Sequence, residues 1–203
     1  MLRLDHLAVS AATLDDGVGW VETALGVSMA GGGVHPHMGT HNRLLSLGDL
    51  YLEVIAADPA APAPAWPRWF DLDHFKGAPR LTNWVAQCDD LGAELAASPA
   101  GAGTPTALAR GDYRWQMAVP DDGKLPFDGA FPALIQWQGT AHPAQALPDQ
   151  GVRLTLLEVW HPQAAALGDA LTGRIRDPRV TFVTGLHRMR AFFATPHGVR
   201  ALE

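Results

Sequence analysis

A single acid, Glu53, stands among apolar residues in a run typical of a buried β-strand, residues 50–55. Removing water from a lone carboxylate costs free energy unless a partner or a metal ion compensates for the loss. Nearer the N-terminus, a second strand-like run, residues 3–9, carries His6. Acid–base catalysis and divalent metal ions both use histidine and glutamate side chains. The pair His6 and Glu53 therefore indicates either a metal site or an acid–base site.

A histidine-rich and glycine-rich segment, residues 31–42, precedes the strand of Glu53. If this segment is extended, His35 and His37 point to the same side because they are two residues apart. Gly39 permits close backbone approach to a ligand, and pockets orient small molecules with a few directional polar groups. Solvated histidines in a surface loop remain the alternative. We expect four of its side chains to bind a substrate: His35, His37, Thr40 and Asn42.

The composition narrows the range of partners. A net charge of −6, without any Lys/Arg-rich patch, argues against binding to nucleic acid or to an anionic membrane. The only cysteine, Cys88, excludes an intramolecular disulfide framework and a cysteine-based zinc cluster. No apolar run approaches the length of a membrane span, and no secretory leader is recognisable, so we expect a cytoplasmic protein.

The predicted elements repeat along the chain. The first unit, residues 1–57, has a strand, a helix and three strands: residues 3–9, 13–25, 27–34, 43–47 and 50–55. An Ala- and Pro-rich connection, residues 58–79, leads to a second unit, residues 80–140. Its elements follow the same order: residues 80–87, 89–97, 104–109, 113–118 and 133–137. A partial third unit, residues 150–203, is expected to complete the sheet of the first two units, so that residues 1–203 form one domain with a single core.

Several short motifs occur in the order of one known family. They are Asp5-His6, the HP-x-x-GT-x-N segment from His35 to Asn42, Tyr51-Leu-Glu53, Trp84, Asp89-Asp-Leu91, the run ending at Trp137, and His142-Pro143. With these motifs the chain resembles the glyoxalase-like domain family of the vicinal oxygen chelate superfamily. The resemblance implies an α+β fold, in which repeated βαβββ units form a strongly curved mixed sheet around a cavity, with helices outside.

The resemblance also implies a ligand pattern. Metal sites of the superfamily take one His and one Glu from the first unit, which His6 and Glu53 match, and two ligands from the second. The aligned positions of the second unit carry Asn83 and Gln136, whose neutral amides are weak ligands for zinc or nickel. Binding of a divalent metal is therefore expected to be weak or absent. In the metal-free alternative these four side chains hydrogen-bond one another in a polar cavity.

Two functions remain open at this point. One is a glyoxalase-like enzyme of lyase, isomerase or dioxygenase type, in which His6 and Glu53 are the catalytic residues. The other is a non-catalytic protein that binds or sequesters a small molecule. Either function implies a small-molecule partner, without nucleic acid or membrane, and leaves a homodimer open. The principal cavity is expected to be lined by His6, Glu53, Asn83 and Gln136, with the segment from His35 to Asn42 at its mouth.

Overall fold

The computed structural model describes all residues from 1 to 203. The first unit follows the predicted order of elements, beginning with a strand and a helix. Its elements are β1 (Arg3–Ser10), α1 (Leu14–Leu25), β2 (Val34–His35), β3 (Thr40–Ser46) and β4 (Tyr51–Ala57). Helix α1 begins where the Thr13 side chain accepts a hydrogen bond from the backbone N–H of Asp16, and it ends at Gly26 with φ of 74°. Both are local signals that the sequence carries in its residue types.

The second unit repeats this order. It comprises β5 (Arg80–Gln87), α2 (Leu91–Ala96), β6 (Thr104–Arg110), β7 (Tyr113–Val119) and β8 (Ala133–Gln138). A 3₁₀ helix, Trp69–His74, lies in the connection, and another spans Phe127–Gly129. The third unit contains α3 (Pro143–Ala146), β9 (Arg153–His161), α4 (Ala164–Leu171), β10 (Val180–Thr184), β11 (Arg188–Thr195) and β12 (Gly198–Leu202).

The first two units form one eight-stranded sheet with the order β2-β3-β4-β1-β5-β8-β7-β6. The units meet at the antiparallel pair β1–β5, whereas β1 runs parallel to β4 and β5 runs parallel to β8. The sheet is therefore mixed and strongly curved, which confirms the predicted α+β fold of βαβββ units. We call the side of the sheet that carries Ala8, Ile55, Val85 and Ile135 the concave face; it holds a separate apolar cluster of 13 residues.

Two predictions about strands are wrong. Residues 27–34 do not form a strand: only Val34–His35 pairs with β3, apart from one bridge between Ala30 and Leu44. The three glycines from Gly31 to Gly33 explain this, because glycine disfavours a regular strand. The third unit does not complete the curved sheet either. It forms its own four-stranded sheet, β10-β9-β11-β12.

Packing explains the separate sheet. Residues of β9 and β11, including Leu157, Val159 and Phe193, join a core of 33 buried residues that also contains Trp84 of β5. Burial of the apolar face of the third unit stabilises the fold more than pairing one of its strands with an edge of the curved sheet would. The reason is that stabilisation scales with the apolar area removed from water. The shared core supports our proposal that residues 1–203 form one domain.

Candidate active site

A β-bulge positions the first two candidate residues. The pairing of β1 with β5 shifts register between Leu4 and His6, so Asp5 has no partner of its own on β5. Simple alternation predicts that Leu4 shares the concave face with His6, but Leu4 packs in the large core on the opposite side. Asp5 and His6 instead contact each other: Asp5 Oδ1 lies 2.5 Å from His6 Nδ1.

Asp5 is fully buried, with 0 % of its surface exposed, and three donors converge on it. Besides His6, the Trp137 indole N–H donates to Asp5 Oδ2 at 2.8 Å, and His142 Nε2 lies 3.0 Å from the same oxygen. His142 accepts the backbone N–H of Ala144 on Nδ1, which leaves its Nε2–H to donate to Asp5. This shell fixes the Asp5 carboxylate and, through it, the orientation of the His6 ring.

Glu53 faces His6 across the cavity. Its Oε2 lies 3.6 Å from His6 Nε2, a distance longer than a hydrogen bond, so the attraction between the two groups is coulombic. Its Oε1 accepts a hydrogen bond of 2.5 Å from the Asn42 amide. Asn42 reaches Glu53 because β3 and β4 are adjacent antiparallel strands, in which Asn42 pairs with Ile55. Both Glu53 and His6 are buried, with 6 % and 4 % of their surfaces exposed.

Asn42 is oriented by two donors of its own. Its side-chain oxygen accepts the backbone N–H of Gly33 at 2.8 Å and the Arg110 guanidinium at 2.9 Å. Arg110 comes from the end of β6 in the second unit, so the two units close the cavity together. The Asn42 amide group therefore has one direction in which to donate, and Glu53 lies in that direction.

The charges of the central pair follow from these contacts. Burial lowers the pKa of His6, but the Asp5 hydrogen bond and the Glu53 carboxylate outweigh burial and raise the pKa to about 9. Burial raises the pKa of Glu53, but His6 and Asn42 reverse this effect and hold the pKa at about 2. Burial likewise raises the pKa of Asp5, and the hydrogen bonds from His142 and His6 bring it below its ordinary value. At neutral pH the site is an imidazolium between two carboxylates.

His35 has the opposite charge behaviour. Its Nδ1 lies 3.1 Å from the Thr40 hydroxyl, and its ring meets the Trp69 and Trp115 rings edge-on at centroid distances of 5.2 and 6.1 Å. Burial lowers the pKa of His35 to about 4, with only partial compensation from the Glu53 charge. His35 is therefore a neutral, aromatic part of the cavity wall.

The cavity between these groups is small and mostly aromatic. Its volume is about 30 Å³, the room of about two water molecules. Four side chains supply most of its apolar wall: Trp69, Phe70, Trp115 and Trp137. A substrate larger than a few atoms therefore needs the wall to move or needs additional space outside it.

The residues of this cavity do not fit a divalent metal ion. Asp5 engages His6 Nδ1, so His6 offers only Nε2, which faces Glu53, and these two groups alone do not complete a metal site. The Arg110 guanidinium in the wall adds a positive charge. No group of three or more His, Cys, Asp or Glu side chains in the chain is arranged to hold a metal. Weak or absent metal binding stays a prediction.

Four of the predicted site residues line the cavity, and four do not. His6, Glu53, His35 and Asn42 line it, and Thr40 contacts it only through His35. His37 is exposed and packs against Trp66, with the rings tilted and their centroids 4.4 Å apart, because β2 ends at His35 and the chain turns there. Asn83 lies on the concave face, where it pairs with Ala8, but it lines a neighbouring groove instead.

The prediction that Gln136 faces the cavity is wrong. Ile135 and Trp137 line the cavity, so Gln136, between them on β8, points to the opposite face. There its oxygen accepts the backbone N–H of Leu91 at 3.0 Å, and its amide donates to the Asp89 carbonyl at 2.9 Å. Gln136 therefore holds the start of α2. The alignment that matched it to Glu53 was off by one residue.

Sequence reasoning did not assign a site role to several residues around the cavity. Asp5, Tyr51 and His142 stand inside the family-like motifs, so their position in those motifs is a usable signal. Tyr51 stacks on His6, with ring centroids 4.3 Å apart. Arg110 carries no local signal, because only the closure of the sheet brings the end of β6 to Asn42. Trp137 follows Gln136 on β8, so its side chain points to the opposite face of the sheet. The correct strand register would therefore have placed Trp137 at the cavity.

None of the helices is both long enough and apolar enough to cross a membrane.

Several known proteins are similar to this chain. A hypothetical protein from Staphylococcus aureus has a similar structure, with a TM-score of 0.62 and 13 % identity, over 93 % of this chain and 88 % of that one. Methylmalonyl-CoA epimerase from Mycobacterium tuberculosis matches with a TM-score of 0.44 and 18 % identity, over 68 % and 88 % of the two chains.

The similarity to the Staphylococcus aureus protein, at such low identity, shows the fold alone. A methylmalonyl-CoA epimerase from Streptomyces coelicolor, in complex with 2-nitronate-propionyl-CoA, matches with a TM-score of 0.43 and 16 % identity, over 68 % of this chain and 98 % of that one. No protein of curated function matches the chain. The family model for the glyoxalase-like domain matches residues 4–174, which is most of the chain. The chain therefore belongs to the glyoxalase-like domain family.

Proposed function

We propose that this protein is an enzyme that moves a proton at a carbon atom next to a carbonyl group of a small organic substrate. The observation that carries the proposal is the buried pair of Glu53 and His6, whose facing atoms lie 3.6 Å apart in one cavity. A carboxylate base beside an imidazolium is the combination that such a reaction needs. Isomerase-type and lyase-type reactions both begin with this step.

Each residue of the pair has a defined part. The C–H bond of the substrate breaks, its proton passes to Glu53 Oε2, and the bonding electrons form an enolate. The Nε2–H of His6 points into the cavity and donates a hydrogen bond to the enolate oxygen, where negative charge develops. Asp5 keeps His6 charged and oriented. Return of the proton to carbon completes an isomerisation, and loss of a leaving group completes a lyase reaction.

The low pKa of Glu53 fits this role once a substrate is bound. A carboxylate with a pKa of about 2 is a weak base, and His6 is a main cause of that low value. When the substrate oxygen accepts the hydrogen bond from His6, the positive charge of the imidazolium is shared between that oxygen and Glu53. The bound substrate also excludes water from the cavity around Glu53. Both changes destabilise the carboxylate relative to the neutral acid, so the pKa of Glu53 rises toward that of a useful base.

A non-catalytic binding protein is the second candidate. The aromatic wall favours it, because Trp69, Phe70 and Trp115 offer flat apolar surfaces that fit an aromatic or conjugated ligand. In this alternative the Glu53–His6 pair only satisfies two buried charges. Removal of the Glu53 charge should abolish turnover if the protein is an enzyme. It should leave ligand affinity unchanged if the protein only binds its ligand.

Exchange of hydrogen for deuterium at carbon tests the proposal directly. A panel of small aldehydes, ketones and 2-oxo acids is incubated with the protein in D2O, and exchange next to the carbonyl is followed by NMR. Glu53→Gln keeps the shape of the side chain and its contact with Asn42, so the fold should persist. We expect the exchange rate to fall by about a hundredfold or more, the usual contribution of a general base.

The matched control is Glu158→Gln, the same substitution on β9 of the second sheet, where Glu158 accepts a hydrogen bond from Trp160. It should exchange at the wild-type rate. Exchange by Glu53→Gln at the wild-type rate would refute the role of Glu53. Saturable binding of aromatic compounds without any exchange, equal in both variants, would favour the binding protein instead.

A further inference from the structure

A large groove lies beside the small cavity, where the third unit meets the start of β5. Its volume is about 610 Å³. It lies between the start of β5, the 3₁₀ helix of the connection, the loop before β8 and the start of β11. Phe70 is the one residue that lines both the cavity and the groove. The groove has the space that the cavity lacks.

Asn83 lies at the base of this groove with its side chain unpartnered. Only 4 % of Asn83 is exposed, yet its amide group makes no hydrogen bond within the protein. Its neighbour Thr82 differs, because the Thr82 hydroxyl bonds to the Ser10 hydroxyl at 2.7 Å. Neither amide atom is among the fully buried atoms that lack a partner, so the accessible part of Asn83 opens to the groove, where water or a ligand can hydrogen-bond to it. This amide offers both a donor and an acceptor to whatever occupies the groove.

The backbone around the groove is strained. The only non-glycine residues with positive φ form two Phe-Asp pairs, Phe70-Asp71 and Phe127-Asp128, with φ between 53° and 58°. Asp71 and Asp128 both line the groove. Such conformations cost about 1–3 kcal/mol each and cluster at ligand sites. One pair contains Phe70, which lines both spaces, and both pairs supply an Asp to the groove wall.

Equal numbers of Lys/Arg and Asp/Glu side chains line the groove. Three cations, Arg80, Lys124 and Arg188, stand against three carboxylates, Asp71, Asp128 and Glu203. A ligand with a net charge therefore gains little there from the surrounding field. Hydroxyl and amide groups, which donate and accept hydrogen bonds, complement both the Asn83 amide and the mixed charges above it.

We infer that the groove binds an uncharged tail, bearing amide or hydroxyl groups, of the same substrate whose reacting carbonyl enters the cavity past Phe70. This inference rests on the proposed function for the identity of the reacting head, but not for binding in the groove. Asn83 holds the tail by hydrogen bonds to its amide. The substrate class is then an extended carbonyl compound with a neutral polar tail.

Binding is tested without turnover, by NMR of the ¹⁵N-labelled protein. The tail probe is N-(2-hydroxyethyl)acetamide, compared with acetate and guanidinium at constant ionic strength. We expect saturable shifts of the Asn83 side-chain amide and of Gly129, whose backbone lies beside the Asn83 amide. Asn83→Leu should weaken binding by about tenfold or more, as loss of buried hydrogen bonds does. Gln145→Leu, the same kind of substitution at an exposed position elsewhere, should not.

Each other outcome overturns the inference. No saturable shift at Asn83 or Gly129 in the wild-type protein would remove the groove as a binding site, whether or not the variant folds. Stronger shifts with acetate or guanidinium would refute the neutral class of ligand. Binding that Asn83→Leu leaves unchanged would remove Asn83 from the site.

A two-part probe, N-(2-hydroxyethyl)acetoacetamide, tests the link to the cavity. We expect it to shift both the Asn83 amide and the His6 ring, with an affinity about tenfold or more above that of the tail alone, because the second contact becomes intramolecular. Shifts at Asn83 alone would show a separate ligand and refute the shared substrate. Shared binding without hydrogen exchange above the uncatalysed rate would preserve the groove and refute the proposed reaction, so the two failures are distinguishable.

Discussion

The stability of the protein should peak near pH 6.5, because two buried histidines respond to pH in opposite ways. For His6 the folded pKa of about 9 lies above the ordinary value of 6.5. The folded state therefore binds this proton more tightly than the unfolded state does. The contribution of His6 to the free energy of unfolding is complete below pH 6.5 and is lost as the pH rises through 9.

For His35 the sign is reversed. Its folded pKa of about 4 lies below 6.5, so the unfolded state takes up this proton first. The contribution of neutral His35 is complete above pH 6.5 and is lost as the pH falls through 4. One pKa unit corresponds to about 1.4 kcal/mol, so each histidine changes the free energy of unfolding by roughly 3 kcal/mol over its range. Both side chains are buried, so solvent screens neither effect strongly.

Urea unfolding, followed by tryptophan fluorescence between pH 4 and pH 9.5 at constant ionic strength, measures this curve. We expect a maximum near pH 6.5, with a loss of roughly 3 kcal/mol by pH 9 and a similar loss by pH 4. His35→Gln, which still bonds to Thr40, should flatten the acid side and leave the alkaline side intact. A free energy of unfolding that stays constant or rises between pH 6.5 and 9 would refute the charge assignment of His6.

Further predictions concern the groups that support the pair. Asp5→Asn removes the fully buried charge, and we expect the His6 pKa, measured by ¹⁵N NMR titration, to fall below about 7. The same variant should lose about 3–5 kcal/mol in urea unfolding, and wild-type values in both measurements would contradict the role of Asp5. Gly32→Ala drives a Cβ into the Asn42 carbonyl oxygen, far inside van der Waals contact, whereas Gly31→Ala meets no atom within 4 Å. We expect lower stability, with no hydrogen exchange activity, in the first variant and wild-type behaviour in the second; equal stability would contradict the close approach of Gly32 to Asn42.

Much of the fold was predictable from the sequence because its signals are local. The caps Thr13 and Gly26 mark the ends of α1, and the apolar runs of β1 and β4 mark buried strands, whatever lies around them. The repeated order of elements and the family-like motifs then indicated the curved sheet of βαβββ units. The pairing of the third unit was not predictable, since it depends on which apolar faces meet in the large core.

The candidate site was also predictable from the sequence only in part. Strand alternation correctly placed Glu53 and His6 on one concave face, because the side-chain period is a property of the strand itself. The bulge at Asp5, the register that turns Gln136 away and the approach of Arg110 to Asn42 come from pairing between distant strands. Those contacts also decide the charge of His6, because an imidazolium persists in a buried site only where carboxylates surround it. The sequence by itself thus determined that His6 and Glu53 face one cavity, and the tertiary structure alone decided the rest of its lining, the partners of this pair and their protonation.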